Sequence, residues 1–155
     1  MSIKKFFAEK DNTITNAFDP ANVTRATGSN MGASDILEIF SLYGQESDSS
    51  VEKSRILIQF PVSKITQARS SSQIPASGSV NFYLRMFNAE HTSTTPVNFT
   101  IKTNPISSDW DEGIGLDMET YTDKDTCNWN HRTFGTAWST PGGDFNTAHD
   151  HEKKF

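Results

Sequence analysis

A single cysteine, Cys127, leaves no disulfide available within the chain. Basic residues are in the minority, with 14 Lys and Arg against 19 Asp and Glu, for a formal charge of -5. A protein that grips a phosphate backbone needs a basic face, so nucleic acid is not an expected partner. No apolar run reaches the roughly 20 residues of a membrane span, so no membrane insertion is expected. Lys4 and Lys5 near the start are not followed by a hydrophobic stretch of signal-peptide length, and synthesis and assembly are expected in a cytoplasm. Heptads, internal repeats and low-complexity tracts are all missing. Only 34% of residues are hydrophobic, but 11 Phe, 3 Trp and 3 Tyr are among the 155 residues. At roughly 150–250 Å² apiece, a few buried rings can build the core of one ordinary domain.

What the chain does have is one concentrated apolar stretch, residues 54–62 (SRILIQFPV). A run this short, β-branched and closed by Pro61, predicts an interior strand covered on both faces, with Ile56, Leu57, Ile58 and Phe60 in the core. Pro61 lacks a backbone donor and belongs at the strand end or an edge. Residues 3–8 and 12–15 read as short strands around a charged turn at Glu9-Lys10-Asp11. Residues 17–34 read as loop, punctuated by Asp19-Pro20, Thr27-Gly28 and Met31-Gly32. Residues 36–43 (ILEIFSLY) fit either a helix capped by Ser34 or Asp35 or a strand, and the neighbouring strands favour the strand. Residues 45–53 and 66–78 are expected as polar connections. Two further segments alternate: 80–87 (VNFYLRMF), with Val80, Phe82, Leu84 and Met86 on one side, and 97–102 (VNFTIK), with Val97, Phe99 and Ile101. Such alternation predicts half-buried antiparallel strands and places Phe82, Leu84 and Phe99 in the core.

The expected class is therefore all-β, an antiparallel β-sandwich of jelly-roll type. Residues 1–106 would form its core. Residues 107–155, which hold every Trp and little periodicity, would form a loop-rich aromatic and acidic cover of the same domain.

Candidate chemistry lies mostly in that cover. Asp109, Asp111, Glu112, Asp117, Glu119, Asp123 and Asp125 cluster around Gly113 and Gly115, and clustered carboxylates can wrap Ca²⁺, which takes six to eight oxygens. The helix-loop-helix calcium pattern fails, since its sixth position is Ile114 and its twelfth Thr120; the plain alternative is a solvated acidic loop. The candidate metal set is Asp109, Asp111, Glu112 and Asp117, and no other cofactor is expected. His149 and His151 flank Asp150; on an extended strand both face one side, and three chains around an axis could offer six nitrogens to a transition metal. His91 and His131 stand alone and read as structural. No nucleophile signature surrounds Cys127 or any serine, and paired glycosidase carboxylates are a folded-state property. Trp110, Trp129, Trp138 and Tyr121 are either a stacking platform for sugar rings or staples pinning the cover onto the sheet. Exposed indoles on a lone domain are costly, which favours staples.

Several of these features, taken in order, resemble the DNRLRE-type β-sandwich domains, which look like relatives of carbohydrate-binding modules. They are the N-terminal strand, the turn at Asn30-Met31-Gly32, the strand at Ile36, Arg55 leading the 55–60 strand, and Phe82-Tyr83-Leu84. Trp110-x-Glu112 and then Trp138 with Gly142-Gly143 complete the series. More narrowly, residues 1–44 and 110–145 resemble virion structural proteins of marine tailed bacteriophages. The resemblance covers most of the chain. It implies a non-enzymatic structural component of a phage particle (capsid surface, neck, tail or fibre). Such a component is assembled in the host cytoplasm and binds copies of itself and other virion proteins. The alternative it implies is a module for host-surface or environmental glycans. Family members usually continue past the Gly-Gly-Asp turn into closing strands, whereas this sequence ends at Phe155. Residues 144–155 are accordingly expected to run out as an arm or lie on a neighbouring copy, with Phe145 and Phe155 as apolar anchors.

Overall fold

The computed structural model describes residues 3–19, 24–44, 47, 50–75, 78–92, 94, 96–117 and 126–155. Strands β1 (Lys10–Thr15) and β2 (Ser41–Tyr43) flank β3 (Val51–Gln59) in an antiparallel sheet of order β1-β3-β2. The 54–62 stretch thus supplies the C-terminal part of the central strand. β1 pairs with β3 from Lys10↔Gln59 to Thr15↔Ser54, and β2 from Ser41↔Lys53 to Tyr43↔Val51.

Opposite residues of an antiparallel pair share a face. Asn12, Ile14, Arg55 and Leu57 therefore look one way, and Thr13, Thr15, Glu52 and Ser54 the other. The first face carries the apolar core, in which Ile14 and Leu57 meet Trp110, Cys127, Trp129 and Trp138, with Ile106 at the margin. The core therefore straddles residue 106, joining the expected sandwich core and its cover. The second face is buried but polar. Thr13 Oγ1 accepts from Glu38 N–H (3.1 Å), Ser54 Oγ accepts from Phe40 N–H (2.8 Å), and Glu52 Oε2 accepts from Phe18 N–H (3.0 Å). Loop backbone, held by side-chain acceptors, lies over this face. Ile56, Ile58 and Phe60 are consequently half-buried and only Leu57 of that group is deeply buried, which corrects the expectation of equal burial on both sides.

Pro61 ends the strand by opening helix α1 (Val62–Ser70), where its fixed φ suits the first turn. Residues 66–78, expected as loop, thus begin inside a helix that buries Ala68, with Ile74 buried just beyond it. The remaining strands are small: β4 (Thr100–Thr103) pairs with β7 (His151–Lys154), and β5 (His131–Thr133) forms a hairpin with β6 (Thr136–Ala137). The regular structure of the described residues is thus mostly strand with little helix, a small β-rich fold. The described residues form one three-stranded sheet and two two-stranded ones, with no pair of sheets packed element on element.

Other expectations are corrected as well. Residues 3–8 form no strand, Lys10 and Asp11 belong to β1, and of 36–43 only β2 pairs. β3 begins at Val51, inside the expected 45–53 connection; residues 45, 46, 48 and 49 lie outside those described. β4 begins at Thr100, leaving Val97 exposed and Phe99 half-buried. The largest departure is at 80–87. Phe82 and Leu84, expected in the core, are exposed at 59% and 47%, and the segment joins no sheet among the described residues. Alternation gives strand tendency but not a ladder, and the free side of β1 is occupied by Asn30 and Met31. The arm is corrected too: Ile106 bridges to Phe145, and β7 returns along β4 of the same chain. Phe155 stacks on Phe99 with ring centroids 4.9 Å apart.

Leu57→Ala should cost about 2–5 kcal/mol in denaturant unfolding, the sum of lost transfer energy and a cavity. Leu84→Ala should stay within roughly 0.5 kcal/mol of the parent, the range of surface changes. A near-neutral Leu57→Ala, or a costly Leu84→Ala, contradicts this division of core and surface.

Candidate functional site

The candidate residues are distributed between a stapled core and a bare segment. All three indoles face inward, with Trp110 and Trp138 at 4% exposure and Trp129 at 8%. Each is fixed by a polar contact as well as by packing. Trp138 Nε1–H donates to Asn128 C=O (2.9 Å), and Gly142 N–H donates to Trp129 C=O (2.6 Å). Lys10 Nζ donates to Trp110 C=O (3.1 Å) and lies 5.8 Å from the centre of its ring. The Arg55 guanidinium sits 4.9 Å from the Trp129 ring and 4.7 Å from the Phe145 ring, and donates to Gly142 C=O (2.5 Å). Partial burial draws its pKa below the usual arginine value. Phe145 is thus anchored to its own chain. Tyr121 lies outside the described residues, as do Glu119, Asp123 and Asp125.

Buried amides tie the cover to the sheet, and of these sequence reading named only Asn30, as part of a turn. Asn12 Nδ2–H donates to Cys127 C=O (3.2 Å) while its Oδ1 accepts from Met31 N–H (3.0 Å). Asn30 Oδ1 accepts from Gly115 N–H (2.9 Å) and Gly32 N–H (3.2 Å). A Cβ on Gly113 or Gly115 would overlap Asn30, so the acidic loop can lie this close only as glycine. Asn128 Oδ1 accepts from the backbone N–H groups of Asn130 and His131, both at 2.9 Å. The Asn-x-Gly turn at Asn30 and the Gly-x-Gly at 113–115 were the available signals.

The acidic residues do not converge. Asp109, Asp111 and Glu112 are exposed and Asp117 is half-buried. Asp109 C=O accepts from Arg132, Asp111 N–H donates to Arg132 C=O, and Glu112 Oε1 accepts from Asp11 N–H (2.8 Å). Partial burial, and then the Glu112 charge, raise the Asp11 pKa. Among the described residues no group of three or more His, Cys, Asp or Glu is placed to hold a metal. His149 lies in a short 3-10 turn (Thr147–His149) and His151 opens β7, so they do not share one strand; His131 lies in β5 and His91 contacts Asn88. Asp144 instead closes a turn: Oδ2 accepts from Ser139 N–H and Oδ1 from Thr140 N–H, and these bonds lower its pKa.

Outside this set lies the bare segment. Tyr83 and Phe87 are 84% and 77% exposed, and residues 81–92 are exposed throughout. No backbone group of 80–92 has a hydrogen-bond partner among the described residues. Arg69 approaches Phe82 at 5.7 Å and Arg85 covers Phe87 at 4.8 Å. No family model, curated protein or solved structure matches this chain.

Cys127 is fully buried, and burial pushes its thiol up to about 12. In the unfolded chain the thiol ionises near ~8.5, so its contribution to stability is complete below that pH. Stability should then fall between roughly 8.5 and 12, by at most about 1.4 kcal/mol per pH unit from this group. Native protein at pH 8 should resist a thiol reagent that labels the denatured chain at once. Rapid labelling of the native chain contradicts this burial.

Proposed function

We propose that this chain is a non-enzymatic structural component of a tailed-bacteriophage virion that works by protein–protein assembly. The observation that carries the reading is the exposed apolar segment 80–87, whose backbone has no hydrogen-bond partner among the described residues. The sequence resemblance to DNRLRE-type domains and to phage virion proteins supplies the context. On this reading the chain binds copies of itself and other virion proteins, and the β-sandwich implied by the resemblance is completed in the assembled particle. The inward-facing indoles favour this over the carbohydrate-binding alternative, because they leave Trp110, Trp129 and Trp138 no flat face to offer a sugar.

Mass spectrometry of purified particles should find the intact chain in fixed ratio to the major virion proteins. Leu84→Asp should lower its incorporation without lowering the stability of the isolated chain. Particles lacking the chain would overturn the reading. So would sugar release from a polysaccharide that Asp111→Asn and Glu112→Gln abolish.

A further inference from the structure

The geometry points to the β2 edge of a second copy of this chain as the docking site for residues 80–87, which add there as an extra strand. This inference rests on the assembly reading above. A strand with unmet backbone groups seeks a sheet edge, and such addition takes affinity from the ladder and specificity from alternate side chains.

Among the described residues the two larger sheets offer few open edges, and the β5–β6 hairpin is only two residues long on its β6 side. β1 is covered by Asn30 and Met31, which bond to Ile14 and Thr13. The β4–β7 ribbon is guarded by charge, with Lys102 paired to Glu152 and with Lys153 and Lys154 on β7. β2 is the terminal strand on its side of the sheet and bears no such guard, being Ser41-Leu42-Tyr43, exposed throughout.

The side chains match on both faces. Leu42 lies opposite Glu52 and Tyr43 opposite Val51, so the two project to opposite faces of the sheet. An added strand therefore needs apolar residues on both of its sides, which is uncommon for a half-buried strand. Residues 80–87 have them, with Phe82, Leu84 and Met86 on one side and Tyr83 and Phe87 on the other.

The exposed parts of Phe82, Tyr83, Leu84, Met86 and Phe87 amount to on the order of 600 Å², taking roughly 200 Å² for a fully exposed large side chain. A stable interface needs about 800 Å² per partner, so this strand with its backbone and neighbours is of the right size. Because donor and edge are different surfaces, the contact is head-to-tail and propagates or closes into a ring.

The test combines sedimentation velocity with cross-linking of the full chain. Ser41→Cys protein mixed with Arg85→Cys protein should join through a short bis-maleimide, whereas Ser41→Cys mixed with Thr140→Cys should not. Leu84→Pro removes a ladder position and Leu84→Asp an apolar anchor. Each should weaken self-association by roughly tenfold or more, with the thermal unfolding of dilute protein unchanged. Association that survives both variants, or cross-links that form equally with Thr140→Cys, would overturn strand addition at β2 while leaving the assembly reading standing. A parent chain that stays monomeric at the highest attainable concentration would overturn self-docking too. The particle analysis above then decides separately whether the chain is a virion component.

Discussion

The structure depends on one face of the β1–β3 pair being sealed by indoles. Ile14 and Leu57 alone are too small to make a core for 155 residues. Trp110, Trp129 and Trp138 add roughly 150–250 Å² of buried surface each, worth about 4–6 kcal/mol apiece at the usual coefficient. The Asn12, Asn30 and Asn128 side chains contribute less, about 1 kcal/mol net per hydrogen bond. Their role is geometric: leaving any of these buried amides unpaired costs more than pairing them gains, so they admit one arrangement of the cover over the sheet. Indole burial supplies the magnitude and the amides supply the register.

That seal accounts for the two faces of the sheet. The indole face takes all three Trp of residues 107–155, while Ile114, Leu116, Phe134 and Phe155 stay exposed. The opposite face is left with Thr13, Thr15, Glu52 and Ser54, which take loop backbone as their partner. A polar buried face cannot serve as the inner wall of a dry sandwich, and the backbone at Phe18, Glu38 and Phe40 bonds to it instead. The Phe-rich segment that would otherwise have made a second wall, 80–87, stays outside.

Parts of this arrangement were legible in the sequence and parts were not. β3 was legible because a dense β-branched run ended by Pro61 has few alternative uses. The burial of the indoles followed from the cost of exposing them. Helix α1 was hidden because its residues, VSKITQARS, are Ser- and Gln-rich and its apolar stripe is only Ile65 and Ala68. Of the β4–β7 ribbon, β4 overlaps the strand expected at 97–102, but β7 was hidden because His, Glu and Lys give it no apolar face and its pairing spans nearly fifty residues. At 80–87 the alternation predicted a half-buried strand that the structure does not form, because periodicity records a tendency and says nothing about whether a partner edge is within reach. The Asn30–Gly115 packing left only short motifs, and no composition rule finds a buried amide.

The central claim is that the described residues hold one packed core and leave residues 80–87 outside it as an exposed segment that assembly covers. Amide hydrogen exchange on dilute and on assembled protein addresses it most directly. Slow exchange in β1, β3 and around Trp129 in both samples, with residues 80–92 exchanging freely when dilute and protected when assembled, is the predicted result. Protection of residues 80–92 in the dilute monomer, or free exchange there in the assembly, would contradict it.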